Sequence, residues 1–420
     1  MQRRPRDERE TTTVVRRVRL RGAGLIVLLG VLEAFGPLSM DLYMPKLPEL
    51  AESLRTSDAL AQSTMSVCMI GLALGQLVAG PLSDRFGRRP PLLIGVAAFT
   101  VFSIASALAP TIGWLILFRF LQGLGGSAGM VVSLAIARDL YSGTELSRML
   151  SWLALVGATA PIVAPMIGGL LAGFLEWRGY FAILAGIGIL LLAVTFIALP
   201  ETRRFGAAAG SGAGSGSGAA ASPAPGGFFA DARVLLDGGF FRLLLAISAI
   251  SGISFFSYLS MSSFVLQEGF GFSPQLFGIV FAAGSICNVL GSQTSRVLVT
   301  RFGTRRLYGA GIGIGLVGAA VVLAGALLGW GVGIVLAGLW IYLASTGFTL
   351  PNGNSLALSE HGERAGTAAA MLGTASLIVG PIAAPIISLG GITAFTLGAT
   401  MFSAMLVCVV LARVALKRMA

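Results

Sequence analysis

The eleven residues 80–90 read Gly80-Pro81-Leu82-Ser83-Asp84-Arg85-Phe86-Gly87-Arg88-Arg89-Pro90. An apolar run from about residue 60 precedes them, and a second apolar run follows them as far as residue 108. Each run is long enough to cross a bilayer, which takes about 20 helical residues. The stretch is therefore a tight polar turn between two membrane helices, and we name it the signature loop. Gly87 permits the positive φ of a tight reversal, and Asp84 can pair with a guanidinium or cap a neighbouring helix.

The arginines of the signature loop also have a simpler interpretation, because the short cytoplasmic loops of membrane proteins are rich in Arg and Lys. That interpretation accounts for the positive charge. It does not account for the acid at Asp84 or for the glycines at Gly80 and Gly87.

Composition predicts a polytopic membrane protein whose main partner is the lipid bilayer. Of the 420 residues, 55% are hydrophobic and only 11% are charged, and the mean hydropathy is +0.87. Soluble proteins carry about 25% charged residues. The net charge of +11 does not indicate nucleic acid as a partner, because the arginines lie mostly in the N-terminal tail and in short loops.

The scarcity of catalytic side chains argues against an enzyme. Neither lysine of the chain, Lys46 or Lys417, follows a glycine, so no Gly-Lys-Ser/Thr phosphate loop for ATP hydrolysis exists. The single histidine, His361, offers no metalloprotease pair and no base for a nucleophile. We therefore expect no enzymatic activity, no metal and no organic cofactor.

Hydropathy predicts twelve membrane spans, all helical. A Gly/Ala/Ser-rich stretch at 206–227 cannot hold a fixed structure and divides the spans into six plus six. The predicted organisation is a basic tail at 1–23, a six-helix bundle at 24–202, a flexible linker at 203–241, a second six-helix bundle at 242–414 and a tail at 415–420. The predicted spans are 24–46, 60–81, 90–109, 112–137, 147–174, 179–199, 242–266, 274–299, 307–328, 332–355, 364–388 and 392–414.

The basic residues predict the orientation. With the N-terminus inside, all but four of the 29 Lys and Arg fall in cytoplasmic segments or at inner span ends. Both termini are then cytoplasmic. A degenerate copy of the signature loop, Thr300 to Arg305, falls between spans 8 and 9. A repeated six-span unit implies two bundles related by an axis along the membrane normal, with a central cavity between them.

Three charged residues lie inside predicted spans, where each costs at least about 2.5 kcal/mol on insertion scales and is a functional candidate. Glu33 and Asp41 lie in span 1, at depths of roughly 14 Å and 26 Å for a straight helix. Arg119 lies in span 4, at a depth from which its guanidinium could reach either acid. For each acid a structural alternative stays open: Asp41 as an interfacial acid, and Glu33 as a paired acid without a transport role.

The signature loop resembles the loop between helices 2 and 3 of the major facilitator superfamily, Gly-x-x-x-Asp-Arg-x-Gly-Arg-Arg. The resemblance implies two six-helix bundles and a loop that gates conformational change. Asp139, at the inner end of span 4, is placed to pair with Arg85 or Arg88. The matching residues are Gly80, Asp84, Arg85, Gly87, Arg88 and Arg89.

Two further stretches resemble motifs of the same superfamily. The span 4 stretch around Arg119 and Gln122 is similar to a motif whose Arg is linked to proton transfer. Its glycines also fit the simpler role of letting helices approach closely. Span 5 is similar to the antiporter motif Gly-Pro-x-x-Gly-Gly, which is associated with drug exporters, although ordinary Gly/Pro packing is the alternative. The span 5 residues are Gly157, Pro161, Pro165, Gly168 and Gly169.

A finer resemblance is to the bicyclomycin/chloramphenicol-resistance (Bcr/CflA-type) drug:proton antiporters. It rests on the run from Pro37 to Pro45, on Arg138-Asp139, on Trp177-Arg178 and on Pro351-Asn352. The resemblance implies a proton-coupled exporter of small amphipathic drugs in a bacterial inner membrane, with the proton as coupling ion. Glu33 departs from the pattern of that subfamily, in which a small or neutral residue is usual at this position.

Methionines, aromatic residues and asparagines suit an adaptable cavity for apolar ligands. At helical spacing the same residues also suit a lipid-facing or core position. The predicted cavity residues are Tyr43, Met40, Phe255, Phe256, Tyr258, Asn288, Asn352 and Asn354.

The sequence is also compatible with two other functions: proton-coupled transport of an endogenous metabolite, and a membrane sensor that does not transport. We expect the protein to act as a monomer on small-molecule drugs.

Overall fold

The protein is all-α in a computed structural model that describes residues 23–202, 227–360 and 364–418. Within those ranges no strand occurs, and twelve long helices follow one another along the chain. Numbered as spans 1 to 12, they are Ala23–Asp41, Asp58–Phe86, Arg89–Ala107, Ile112–Leu140, Gly143–Leu171, Trp177–Ala198, Gly239–Phe264, Pro274–Phe302, Thr304–Leu328, Val332–Glu360, Ala365–Ser388 and Ala394–Arg418.

The described helices are those of a polytopic membrane protein. Eleven of them are long and apolar enough to cross a membrane, and a bent helix pair at the start of the chain makes a twelfth when it is counted as one span. Large apolar side chains are exposed on these helices, as at Ile94 (70% exposed) and Val297 (69% exposed). Such residues suit lipid rather than water. The predicted all-helical, twelve-span architecture is confirmed.

Span 1 differs from the straight helix predicted at 24–46. Its helix ends at Asp41, and a short 3-10 turn, Met44–Lys46, and a helix, Leu47–Ser53, follow. The two helical parts on either side of Pro37 are bent by 53°. Proline lacks the backbone N–H and its ring crowds the preceding turn, so a bend at Pro37 is expected. The depth estimated for Asp41 from a straight helix is therefore wrong.

The described residues form two compact units. The first contains the residues up to Glu49 and those from Val67 to Thr202, and the second contains Leu50–Ser66 and the residues from Gly227 onward. The prediction had placed residues 50–66 in the N-terminal bundle. Hydropathy along the chain cannot show this grouping, because it depends on which helices meet in space.

The last part of the predicted flexible linker, 203–241, is helical. A linker helix, Gly227–Asp237, buries Leu235, and its Asp231 accepts a hydrogen bond from Arg364 Nε at 3.1 Å. Span 7 then begins at Gly239 instead of residue 242. Similarly, span 12 continues to Arg418, through most of the predicted tail at 415–420. The predicted N-terminal tail and the stretch 203–226 lie outside the described residues.

Glycines let neighbouring spans approach until their backbones touch. In the first unit, a Cβ added at Gly71 of span 2 would lie 2.2 Å from the Phe120 carbonyl oxygen of span 4. In the second unit, a Cβ added at Gly291 of span 8 would lie 2.1 Å from the Ala344 carbonyl oxygen of span 10. Spans 2 and 4 in the first half of the chain and the corresponding spans 8 and 10 in the second half thus both approach closely at a glycine.

The signature loop and its second copy each contain a glycine with a positive φ. Gly87 in the signature loop has φ +95°, and Gly303 in the second copy has φ +77°. Both values lie in the region that glycine adopts most readily. Together with the paired glycines of the spans, this supports the internal repeat.

We expect Gly123→Ala in span 4 to destabilise the protein by about 1–3 kcal/mol, because its Cβ overpacks the helix contact. The new atom would lie 2.1 Å from the Cys68 carbonyl oxygen. The measurement is the thermal unfolding midpoint of the detergent-purified protein. Gly186→Ala in span 6 is the matched control, since nothing lies within 4 Å of its added Cβ. Equal midpoints for the two variants would contradict the close approach.

Candidate functional site

The signature loop is centred on the guanidinium of Arg88. Arg88 Nε donates to Asp139 Oδ2 at 2.8 Å and Nη2 donates to Asp139 Oδ1 at 3.4 Å, which gives a forked ion pair. Nη1 donates to Asp84 Oδ1 at 2.5 Å and to Ser83 Oγ at 2.9 Å. Of the two partners predicted for Asp139, Arg85 and Arg88, the structure shows Arg88. Burial lowers the pKa of Arg88, but the hydrogen bonds and charges of Asp139 and Asp84 outweigh it and raise that pKa overall.

The two acids of this cluster differ in exposure. The Asp139 side chain is 10% exposed, whereas that of Asp84 is 71% exposed. An exposed pair gains little, because water screens it and two flexible side chains must be ordered. The Asp139 fork is therefore the stronger half of the cluster.

Glu201, which was not predicted from the sequence, joins the signature loop to the chain just after span 6. Its carboxylate accepts the backbone N–H of Arg88 at 2.8 Å and that of Arg89 at 3.1 Å. These N–H groups open span 3, and no side chain of its own N-cap bonds to them. An acid at a helix N-terminus satisfies such groups and complements the helix dipole. Thr202 adds a hydrogen bond from its Oγ1 to Asp139 Oδ2 at 3.3 Å.

The other loop residues have simpler contacts. Gly87 needs its positive φ, and a Cβ there would meet the Glu201 carboxylate at 2.4 Å. The guanidinium carbon of Arg85 lies 5.3 Å from the centre of the Phe86 ring, and that of Arg89 lies 5.1 Å from the centre of the Phe196 ring. A Cβ at Gly80 would make only an ordinary contact, at 3.9 Å from Val131.

Arg119 forms a second polar centre inside the membrane region, and its side chain is fully buried. Its Nη1 donates to Gln122 Oε1 at 2.6 Å, and Gln122 Nε2 donates to Ser103 Oγ of span 3 at 2.6 Å. The guanidinium also lies 4.8 Å from the centre of the Tyr43 ring and 5.4 Å from that of Phe181. Cation–π contacts of this kind gain strength when they are desolvated.

Asp41 ends the helix of span 1, two residues before the Tyr43 ring that covers Arg119. Asp41 is 5% exposed. Across the parts of the chain that the structure describes, its carboxylate makes no hydrogen bond and no ion pair within 4 Å. Leaving a buried carboxylate without a partner is costly, so such groups mark functional positions.

Glu33 lies elsewhere. It is half-buried, and its Oε2 accepts a hydrogen bond from Ser133 Oγ of span 4 at 3.0 Å. Ser133 follows Arg119 by fourteen residues in one helix, a separation of about 21 Å. The expectation that Arg119 could reach either acid is therefore wrong for Glu33. The structure brings Arg119 and Gln122 to the Asp41 end of span 1 and leaves Glu33 near the middle of that helix.

The span 5 motif packs against the break in span 1. A Cβ added at Gly168 would lie 2.0 Å from the Leu42 carbonyl oxygen, and Tyr180 Oη donates to the Gly168 carbonyl oxygen at 2.6 Å. Pro165 and Gly169 are buried, Pro161 is half-buried, and a Cβ added at Gly157 would have no atom within 4 Å. Gly168 is thus the residue of this motif that contacts the chain next to Asp41.

The predicted cavity residues fall in both units, and each unit holds its own set. In the first, Met40 is buried, and the buried Tyr43 ring contacts Phe181 at 5.1 Å. In the second, Tyr258 of span 7 stacks on Phe281 of span 8 at 5.5 Å and lies 6.5 Å from Phe255, which contacts Phe256 at 5.7 Å.

The asparagines of the second unit mainly join spans 8 and 10. Asn288 Nδ2 donates to Thr346 Oγ1 at 2.5 Å, and Asn352 Nδ2 donates to Ser295 Oγ at 2.7 Å. Asn354 is exposed. Such hydrogen bonds hold membrane helices together, and a role of these residues in ligand binding stays a prediction. Among the described residues, no group of three or more His, Cys, Asp or Glu could hold a metal ion.

The Arg88 cluster predicts unequal effects of two acid-to-amide changes. We expect Asp139→Asn to lower the free energy of unfolding by about 1–3 kcal/mol, since it removes a charge-assisted fork from a largely buried site. Asp84→Asn, the matched control, should cost less than about 1 kcal/mol because its side chain is exposed. Thermal and chemical unfolding of both purified variants measures the difference. A larger loss for Asp84→Asn would show that the exposed acid carries the cluster.

Comparisons with known proteins agree with this architecture. The family model described as Major Facilitator Superfamily matches residues 29–385. The chain is 36% identical over 388 residues to "Uncharacterized MFS-type transporter YdgK" of Bacillus subtilis (strain 168), covering 90% of this chain and 92% of that protein. It is 28% identical to "Bicyclomycin resistance protein homolog" of Haemophilus influenzae, covering 85% of this chain and 87% of that protein.

A further relative is "Chloramphenicol resistance protein" of Pseudomonas aeruginosa, 31% identical over 72% of this chain and 68% of that protein. Among solved structures, the D-xylose-proton symporter matches with a TM-score of 0.68 at 16% identity, covering 91% of this chain and 97% of that one. At this identity the likeness shows a shared fold only. From the family model and from the identity to the Bacillus protein, the chain belongs to the Major Facilitator Superfamily, and it is a membrane transporter and not an enzyme.

Proposed function

We propose that this transporter exports small amphipathic drugs, phenicol- or bicyclomycin-like, in exchange for protons. The observation that carries the proposal is Asp41, a buried carboxylate without a polar partner in the described residues, at a break in a membrane helix. An exchanger needs a group that can hold a proton or release it as access to the site changes. The printed names of two relatives, which concern bicyclomycin and chloramphenicol resistance, support the choice of substrate class.

In the proposed cycle, protons from outside neutralise Asp41 and the drug is released, and loss of the proton toward the cytoplasm resets the site. The signature loop lies on the cytoplasmic side, because the arginines of the chain concentrate there. The Arg88 cluster would stabilise one of the two access states, so its loss would shift their populations. The proton is the coupling ion, no other cofactor takes part, and the protein acts as a monomer in the bacterial inner membrane.

Glu33 has a different proposed role. Glu33 accepts a hydrogen bond from Ser133, about 21 Å along span 4 from Arg119. The positive charge of Arg119 therefore does not neutralise Glu33. A cationic drug in a medium of low dielectric constant needs a counter-charge, whereas a neutral drug does not. We therefore assign Glu33 to the binding of cationic substrates.

Energy coupling tests the proposed function. In a pump-deficient host that expresses this chain, an uncoupler should abolish drug export, and ATP depletion at a constant proton gradient should leave export intact. The readout is accumulation of a radiolabelled phenicol. Export that survives the uncoupler and stops on ATP depletion would refute proton coupling, and drug accumulation in place of export would favour an uptake system.

The two acids predict a split in substrate range. We expect Asp41→Asn to abolish export of every drug, and Glu33→Gln to reduce export of a cationic dye at least tenfold while a neutral phenicol is hardly affected. Drug susceptibility at matched membrane levels measures both. Glu176→Gln, which changes an exposed acid before span 6, is the control that should behave as wild type. Full export of the neutral drug by Asp41→Asn, with loss in Glu33→Gln, would reverse the assignments.

A further inference from the structure

An apolar groove runs along the lipid-exposed face of the first unit, between span 3 and span 6. It is lined by Leu93, Ile94 and Ala97 of span 3 and by Ile189, Leu192, Ala193 and Phe196 of span 6. The groove residues Ile94, Ile189 and Phe196 are 70%, 56% and 63% exposed. No polar side chain lines the groove, so its surface chemistry matches that of a hydrocarbon chain.

A cation lies beside this groove, in contact with one of the residues that line it. Arg89 precedes Leu93 by four residues and therefore lies on the same side of span 3. Its Nη2 donates to the carbonyl oxygen of Phe196 at 2.6 Å, and its guanidinium lies 5.1 Å from the centre of the Phe196 ring. Phe196 thus both lines the groove and holds Arg89 beside it.

The charge of Arg89 is not neutralised by the acids around it. Arg88 takes up both Asp139 and Asp84, and Glu201 accepts the two backbone N–H groups that open span 3. In the described parts of the chain, the Arg89 side chain has no carboxylate within 4 Å, and the Phe196 carbonyl is its one hydrogen-bond partner. Its Nε is buried without a partner, and its Nη1 makes no hydrogen bond in the described parts of the chain.

We propose that this groove binds an anionic glycerophospholipid, with an acyl chain in the groove and the phosphate on Arg89. An Arg guanidinium forms charge-assisted, often forked, hydrogen bonds with phosphate. Basic residues at the membrane surface attract anionic lipids. Such a lipid offers one of its acyl chains to the apolar groove and its negative headgroup to Arg89. The proposal goes beyond drug export and does not depend on it.

Lipid binding to the delipidated, full-length protein tests the proposal, by native mass spectrometry in detergent. The probes are dioleoylphosphatidylglycerol, dioleoylphosphatidylcholine and glycerol phosphate. We expect the first phosphatidylglycerol to bind about fivefold or more tightly than phosphatidylcholine, and glycerol phosphate alone not to displace it. Arg89→Gln should abolish the preference and Arg89→Lys should keep part of it. Ala97→Phe, which fills the groove, should weaken binding of phosphatidylglycerol.

Arg301→Gln is the matched control, because Arg301 is an exposed arginine beside a phenylalanine in the second copy of the loop. It should bind phosphatidylglycerol as the wild type does. Unchanged preference in Arg89→Gln would overturn the proposal, as would equal losses in Arg89→Gln and Arg301→Gln. Displacement by glycerol phosphate would assign Arg89 to free phosphate groups, and a dimer lost in Ala97→Phe would assign the groove to a second copy of the chain. Each of these two results would also overturn the proposal that the groove binds an anionic lipid.

Discussion

Burial of the Arg119 guanidinium is the constraint on which the first unit depends. A charge inside a membrane span is tolerated only when nearby groups replace the water it has lost. Gln122 and Ser103 extend its hydrogen bonding from span 4 to span 3, and it is covered by the ring of Tyr43, from the chain just after span 1, and by the ring of Phe181 of span 6. One cation thus joins spans 3, 4 and 6 and the chain after span 1, and removal of any of these neighbours leaves the buried charge less well compensated.

The break in span 1 follows from the same arrangement. Tyr43 reaches Arg119 from beyond the end of the helix, where Gly168 of span 5 leaves room for the Leu42 carbonyl. Asp41 therefore lies where a helix ends and where two neighbouring spans meet the chain after it. A carboxylate in such a place is held by packing and not by an ion pair, so its proton can be exchanged without dismantling a salt bridge. Glu33 belongs to an unbroken part of the helix and to a different hydrogen bond.

Features that depend on nearby residues could be predicted from the sequence, and features that depend on distant ones could not. The spans follow from local hydropathy, and the reversal at Gly87 and the pairing of Arg88 with Asp139 follow from a compact motif and the topology of two helices. Glu201 was missed because it lies more than a hundred residues from Arg88 along the chain. Its only local signal is the lack of a capping side chain at the start of span 3. The reach of Arg119 was misjudged because the heights of spans 1 and 4 relative to each other were taken from straight helices, whereas Glu33 contacts Ser133, about 21 Å along span 4 from Arg119.

We propose that Asp41 carries the exchanged proton. Drug-induced proton release from the purified, detergent-solubilised protein, followed with a pH indicator in weakly buffered solution, measures this. We expect a neutral phenicol to release protons from the wild-type protein and from Glu33→Gln, and to release none from Asp41→Asn although the drug still binds. Proton release of wild-type size from Asp41→Asn would show that another group carries the exchanged proton.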